Sequence, residues 1–170
     1  MKATEVIADG FGRVREVVHE VVGGLPAHRL NARAGPAANS VAWLVWHLTR
    51  VQDDHVADAA ELPQVWDAQG WADRFGFALP AGSTGYGHTP RQAGAVSVGS
   101  GEPLLEYFEA VHAQTLRFVR GLTAADLDRV VDEGWDPPVT LGVRLVSVVS
   151  DDLQHAGQAA YVRGLLERGR

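Results

Sequence analysis

The sequence predicts an all-α protein, a four-helix bundle with one long, aromatic-containing crossover loop. Two observations predict it. Four segments carry apolar residues at steps of three and four, the spacing of an amphipathic helix. One connection, residues 63–100, is much longer than the others, which is typical of bundles with a crossover. At 170 residues the chain has the size of one domain with its own core, so we expect residues 1–170 to form a single domain.

The first two long helices are bounded by residues that start or stop a helix. The first helix ends at Gly23-Gly24 and Pro26, and its apolar stripe is Ile7, Phe11, Val14, Val18, Val21 and Leu25. The second runs from about Ser40 to Leu62, with Asn39 and Ser40 as candidate caps, and its stripe is Val41, Leu44, Leu48 and Val51.

The other two long helices follow the same pattern. The third begins near Ser100 with Pro103 in its first turn, and Thr123 caps a short turn through Asp126; its stripe is Leu104, Phe108, Val111, Thr115, Phe118 and Leu122. A connector from Asp132 to Pro138 precedes the last helix, which runs from Thr140 to about Arg168; its stripe is Leu145, Val149, Leu153, Ala156 and Ala160.

Composition excludes several classes of function. The apolar fraction of 46% and the charged fraction of 21% are ordinary for a globular protein and argue against a membrane span. The net charge of -6 lacks the basic excess that nucleic-acid binding needs. The chain has no cysteine, which excludes thiolate ligands and a cysteine nucleophile. Because the first residues show no signal-peptide pattern, we expect a cytoplasmic location.

A carboxylate and an imidazole lie four residues apart on the last helix. Asp151 and His155 therefore share one helix face, and both side chains suit zinc as well as Mn, Fe, Co or Ni. Their row is otherwise apolar, so the pair needs a metal or another partner to offset desolvation. The alternatives are a surface row and a satisfied buried ion pair without metal. Ser150 beside this pair formally allows a hydroxyl triad, but no triad geometry is visible in the sequence.

The remaining histidines are less specific. His47 lies in the nearly continuous apolar segment Trp43–Leu48 and is a buried structural residue or a ligand. His55 cannot share one ion with His47, since eight helical residues rise roughly 12 Å. Core packing suits His112, and a loop hydrogen bond suits His88. Aromatic walls are common in small-molecule pockets, and the candidates for such a wall in the long loop are Trp66, Trp71 and Tyr86.

Three segments resemble the DinB-like superfamily, and within it the mycothiol-dependent maleylpyruvate isomerase type. They are Asn39–Leu48 with Arg50, Asp53 and Asp54 following; Thr84–His88; and His155–Ala159. The resemblance implies a bundle with a divalent metal held by His47, Asp151 and His155. Many members carry a third histidine four residues after the second, where this chain has Ala159.

The resemblance also implies an activity. A metal ion, zinc first, would bind a small thiol such as mycothiol as thiolate for attack on a small electrophile. We therefore expect a thiol S-transferase or isomerase that forms a homodimer, with Trp66, Trp71, Tyr86 and His88 contacting substrate. The catalytic acid or base stays open, with Asp54 and His88 as candidates. The alternatives are a non-catalytic, stress-associated bundle with a degenerate site and a metal-assisted hydrolase.

Overall fold

Eight helices and one short hairpin make up the fold in a computed structural model, which describes residues 1–168. The helices are α1 (Ala3–Val22), α2 (Ala27–Leu30), α3 (Val41–Ala60), α4 (Val65–Ala68), α5 (Trp71–Phe75), α6 (Pro90–Ala95), α7 (Glu102–Gly121) and α8 (Leu141–Arg168). The hairpin pairs β1 (Val130–Asp132) with β2 (Val139–Thr140) in antiparallel register. The four long helices are those predicted, so the all-α bundle is confirmed.

The ends of the long helices follow local chemistry. The hydroxyl of Ser40 accepts a hydrogen bond from the backbone N–H of Trp43 and caps α3, as expected. Pro103 lies in the first turn of α7, where its missing N–H is not needed. The predicted turn after Thr123 is a 3-10 helix, Ala125–Asp128, and its first residues are tied by hydrogen bonds between Thr123 and the Asp126 carboxylate.

The two connectors contain more structure than the sequence indicated. Residues 63–100 contain the three short helices α4, α5 and α6 instead of an irregular loop. The predicted connector from Asp132 to Pro138 is the end of β1 and the turn of the β1–β2 hairpin, with a cis peptide bond at Asp136-Pro137. In the segment 63–100, backbone groups close to a packed core need hydrogen-bond partners, and the short helices supply them.

Helix α3 lies at the centre of the molecule. Its first ten residues, 41–50, are all buried, because α7 and α8 flank it within the bundle and the segment 63–100 covers its remaining side. Helix α1 closes the ring on the far side by packing between α7 and α8. Within residues 1–168, no helix combines the length and apolar content needed to cross a membrane.

Candidate metal centre

The structure brings the three predicted ligands together. His47 of α3 faces Asp151 and His155 of α8, and one ligand atom from each lies within 4.8 Å of the other two. The rings of His47 and His155 meet edge to face, with their centroids 4.7 Å apart. The site therefore lies at the contact of the two helices that pack together most extensively.

The orientation of His47 is fixed by the backbone of the long loop. Its Nδ1 lies 2.6 Å from the carbonyl oxygen of Thr84, so the N–H is at Nδ1 and the lone pair is at Nε2. The indole of Trp43 stacks on the imidazole at a centroid distance of 4.5 Å. Burial lowers the pKa of His47 below its ordinary value, the nearby His155 adds to this, and the hydrogen bond to Thr84 opposes it. A neutral imidazole is the form that binds a metal.

A glycine allows the loop to approach this histidine. Gly85 has φ +98°, a conformation that residues with a Cβ rarely adopt. A Cβ at this position would lie 2.5 Å from Nδ1 of His47 and 3.1 Å from Trp43. Gly85 is therefore required both by its backbone conformation and by the closeness of the ligand.

His88, three residues after Gly85, holds the same loop in place. The indole N–H of Trp43 donates to His88 Nδ1 over 3.1 Å, and His88 Nε2 lies 2.7 Å from the hydroxyl of Ser83. Since Nδ1 accepts, the proton is on Nε2 and Ser83 accepts it. Burial lowers the pKa of His88, which favours this neutral form. His88 thus supports Trp43, which in turn packs on His47.

The two ligands on α8 are held by fewer contacts. Asp151 Oδ1 lies 3.7 Å from His155 Nε2, and the other carboxylate oxygen is buried without a hydrogen-bond partner. His155 Nδ1 lies 2.9 Å from Oε1 of Gln158, so His155 donates from Nδ1 and keeps Nε2 free. The sequence alone indicates no role for Gln158, whereas the structure shows that it orients His155.

The donor set fits a divalent cation. Two imidazole nitrogens and a carboxylate oxygen are zinc-type ligands, and bonds of about 2.1 Å would bring them to about 3.4 Å from one another. The atoms now lie within 4.8 Å of one another, and the Asp151 side chain is 40% exposed and therefore has room to adjust. Its buried oxygen without a donor is an atom that a cation would satisfy. Next to it, Asp152 is fully buried without a partner, and this burial raises its pKa well above the usual range, with the Asp151 charge adding to the effect.

Comparison with known proteins agrees with this architecture. The model of the DinB superfamily matches residues 11–159. The chain belongs to the DinB superfamily. A crystal structure described as the conserved protein of locus from Enterococcus faecalis superposes with a TM-score of 0.90, at 32% identity over 96% of each chain. No curated protein matches the sequence.

A buried polar network, which the sequence analysis missed, anchors the long loop of this DinB-superfamily protein. The Asp53 carboxylate accepts the backbone N–H groups of Val65 and Trp66 and the hydroxyl of Tyr107, each over 2.8 Å. Burial raises the pKa of Asp53, and these three hydrogen bonds and the nearby Arg50 oppose that shift. The signal in the sequence is a carboxylate on a helix whose first part, Trp43–Leu48, is apolar almost all round.

Arg50, beside Asp53, also anchors the long loop. Its guanidinium donates to the Ser83 carbonyl, to Gln64 and to the Tyr107 hydroxyl, and it lies 4.6 Å above the ring of Trp66. Ser83 directly precedes Thr84, the residue that holds His47. The network therefore holds the segment that orients His47 in a fixed position against α3.

A cavity of about 210 Å³ continues the α3–α8 groove away from His47. It begins at Asp151 and ends at His55 and Arg144. Arg144 donates to His55 Nδ1 over 3.3 Å and forms an ion pair with Asp132 at 3.0 Å. His55 is not in the ligand cluster, in agreement with the helical rise that excluded it as a partner of His47.

The residues predicted to contact substrate all lie within the segment 63–100. Trp66 and Trp71 are buried, 4% and 2% exposed, and both pack against Tyr107. Tyr86 is 93% exposed at the tip of the loop that holds His47. Substrate contacts by these residues and by His88 stay a prediction. His112 is buried and stacks on Phe108, as expected for core packing.

Proposed function

We propose that this DinB-superfamily protein is a divalent-metal-dependent S-transferase or isomerase that uses a small thiol of the mycothiol type against an electrophile. The observation that carries the proposal is the ligand cluster itself. Three protein ligands leave coordination positions open, as catalytic rather than structural metal sites do. Zinc is the metal we expect first, with Ni, Mn, Fe and Co as alternatives.

The chain's own residues supply binding and orientation. His47 donates from Nδ1 to the Thr84 carbonyl and His155 donates from Nδ1 to the Gln158 side chain, which leaves both Nε2 atoms for the metal. A metal bound there would lower the pKa of a thiol ligand, so that the thiolate forms at neutral pH. Because the protein has no cysteine, the thiol comes from solution. The 210 Å³ cavity beside Asp151 offers room for the electrophile next to that thiol.

The reaction belongs where small thiols are kept reduced, so we place it in the cytoplasm. Arg144 and His55 at the far end of the cavity are polar groups that an electrophile could contact. Neither of them nor Asp54, which is bound to Gln64, contacts the ligand cluster. We therefore assign no acid or base from this chain.

Elemental analysis tests the metal first. Untagged protein purified without added metal should carry about one divalent ion per chain, and His47→Ala should carry none while keeping its helical circular dichroism. His28→Ala is the matched control because His28 is exposed on α2, distant in sequence from the ligands. A parent protein that binds no ion even after reconstitution would contradict the proposal and favour the non-catalytic bundle.

A cobalt-substituted protein tests the thiol. Titration with mycothiol should produce a sulfur-to-cobalt charge-transfer band, and His47→Ala should produce none. Loaded protein that shows no such band, yet hydrolyses ester or amide substrates, would replace the transferase with a metal-assisted hydrolase.

A further inference from the structure

A cavity of about 460 Å³ lies in the groove between α1 and α7. We call it the α1–α7 cavity. The four long helices pack in a ring in the order α1, α7, α3 and α8. The groove between α1 and α7 is therefore opposite the α3–α8 groove that holds the ligand cluster, and the two sites are separate. The cavity is lined by Arg15 of α1 and by His112, Ala113, Leu116, Arg117 and Arg120 of α7.

The charge of the α1–α7 cavity is unusual for this molecule. The chain has a net charge of -6, and four other cavities each include at least one acidic residue in their lining. The lining of the α1–α7 cavity contains three arginines and a histidine but no acidic residue. A concave surface that carries one sign of charge concentrates ligands of the opposite sign. The cavity therefore favours an anion.

Two of these arginines are available to a ligand. Arg117 and Arg120 are exposed, and neither guanidinium group is hydrogen-bonded or ion-paired to another residue in the range 1–168. Glu109 is the acidic residue of α7 closest to them in sequence, but its carboxylate is bound to Arg15 and His19. Both guanidinium groups can therefore turn to an anion without breaking an existing ion pair.

The third arginine, Arg15, is held in place and still has donors to offer. Its Nε donates to Oε1 of Glu109 over 2.6 Å. Its two terminal nitrogens have no partner in the part of the chain that the structure describes. Since a guanidinium group carries five N–H donors, four of them remain. Glu109 thus orients Arg15 at the cavity without contributing to the lining itself.

His112 is the buried member of the lining. Its side chain is only 6% exposed, and its ring stacks on Phe108. Nδ1 is enclosed without a hydrogen-bond partner. Because a buried N–H without an acceptor is costly, the neutral ring carries its proton at Nε2 instead. Nε2 is then the donor that His112 offers to the cavity, and an anion bound there would accept it.

We infer that the α1–α7 cavity is a binding site for a phosphate group. Guanidinium groups bind phosphate oxygens in pairs of parallel hydrogen bonds. A phosphate monoester carries close to two negative charges at pH 7 and three acceptor oxygens, which three arginines and an imidazole can share. A carboxylate has one charge and two oxygens and would leave several of these donors unused.

The size and the floor of the cavity indicate what carries the phosphate. A volume of about 460 Å³ is larger than a phosphate ion needs and lies within the range of small-molecule sites. Ala113 and Leu116 provide an apolar part of the lining against which a short carbon skeleton can pack. The occupant that we expect first is therefore a small phosphate ester, with inorganic phosphate as the simpler source of the same group.

Isothermal titration calorimetry at low ionic strength tests the inference, with glycerol 3-phosphate and inorganic phosphate as probes. The parent protein should bind one equivalent of probe per chain. Arg117→Gln and Arg120→Gln should each weaken binding about 10-fold, since each removes a charge-assisted hydrogen bond. Arg91→Gln is the matched control because Arg91 is an exposed arginine on α6; it should bind like the parent. Tighter binding of the ester would identify the carbon skeleton as part of the ligand, and equal affinities would identify the phosphate group alone.

A second variant separates this cavity from the candidate metal centre, because a metal ion can also bind phosphate. His47→Ala should bind the probes with the parent's affinity. Binding that is lost in His47→Ala and kept in Arg120→Gln would overturn the inference. So would the lack of saturable binding below about 10 mM, or competition by acetate that equals competition by sulfate at the same ionic strength. The metal content of the parent is measured separately, so none of these outcomes decides the proposed function.

The ring of His112 supplies a measurement that does not depend on removing an arginine. Burial lowers the pKa of His112; the Glu109 charge opposes this, and the charges of Arg15, Arg120 and His19 lower the pKa further. A bound phosphate would offset these positive charges and raise the pKa. NMR titration of the His112 ring signal, assigned by its loss in His112→Gln, should show this rise in the presence of the probe that binds. An unchanged pKa at saturation would place the bound phosphate elsewhere and overturn the inference.

Discussion

The two helices that supply the metal ligands hold them in different ways. On α3, His47 is 6% exposed, bonded to Thr84 and stacked on Trp43, and Trp43 is itself bonded to His88. On α8, the Asp151 and His155 side chains are 40% and 20% exposed. Their polar contacts are one long approach to each other and one hydrogen bond to Gln158, and the ring of His155 also meets those of His47 and Trp43 edge to face.

This difference indicates a division of labour within the site. The ligand on α3 is positioned before any metal binds, because a folded loop of nearly forty residues is fastened around it. The ligands on α8 have more room to adjust, and a cation would satisfy the buried Asp151 oxygen that has no hydrogen-bond partner in the protein. Changes near α3 should therefore affect both folding and metal binding, whereas changes on α8 should affect metal binding alone.

The largest effect is expected at Gly85. In Gly85→Ala the new Cβ would lie 2.5 Å from His47 Nδ1, in a backbone conformation that alanine disfavours. The loop must move away, and we expect a loss of about 3 kcal/mol in unfolding free energy and about 100-fold in metal affinity. Chemical denaturation and metal titration measure the two quantities.

Gly87→Ala is the matched control for Gly85. Gly87 also has a positive φ, +68°, but nothing lies within 4 Å of a Cβ built there. It should cost only about 1 kcal/mol of stability and leave metal affinity unchanged. Equal effects of the two substitutions on metal affinity would mean that contact with His47 does not matter.

Two isosteric substitutions, Asp53→Asn on α3 and Asp151→Asn on α8, compare what each helix contributes to stability and to metal affinity. Asp53→Asn puts an amide group against the donors of Val65, Trp66 and Tyr107, at least one of which then faces another donor. We expect a loss of about 2 kcal/mol in unfolding free energy. Asp151→Asn should change the stability of the metal-free protein by less than about 0.5 kcal/mol, yet lower metal affinity about 100-fold.

For both variants, urea denaturation of the metal-free protein measures the unfolding free energy, and metal titration then measures the metal affinity. A destabilising Asp151→Asn together with a harmless Asp53→Asn would reverse the proposed division between α3 and α8.

The features that the sequence predicts well are those in which residues recur at a regular helical spacing. The stripes that begin at Ile7, Val41, Leu104 and Leu145 identify the four long helices, because core-facing positions recur every three to four residues. The stripe predicted for the last helix is partly wrong, since Leu153 and Ala160 are exposed and the buried row of α8 includes Val148, Ala159 and Val162 instead. The i, i+4 spacing of Asp151 and His155 placed both on one face, and the rise per residue removed His55 from the site. The choice of His47 rested on resemblance, since an apolar segment does not distinguish a ligand from a core histidine.

The remaining features depend on contacts between distant segments, and such contacts leave no regular spacing in the sequence. Asp53 and Arg50 look like ordinary charges on a helix until Val65, Trp66 and Ser83 fold back onto them. The need for Gly85 arises only because His47 lies against it.

A smaller effect is expected from Gln158 on α8. Gln158→Ala removes the acceptor of His155 Nδ1 and frees the ring to rotate. Loss of such a supporting contact lowers metal affinity by about 10-fold, and the stability of the metal-free protein should not change. Gln154→Ala, which loses only contacts to Ser150, is the control for metal titration. Equal affinities of the two variants would exclude an orienting role for Gln158.

The smallest effect concerns the response of the loop around His47 to acid. The unfolded chain protonates His88 near pH 6.5, whereas burial lowers the pKa of His88 in the native protein. As the pH falls, the unfolded state therefore takes up this proton first. The stabilising contribution is complete above about pH 6.5 and is lost below it, as protonated Nδ1 stops accepting from Trp43. Thermal melts of metal-free protein between pH 7.5 and 5 should show this loss, and His88→Gln should reduce it by about 1 °C. The exposed His28→Gln should follow the parent, and a parallel decline in all three proteins would show that another group controls the acid response.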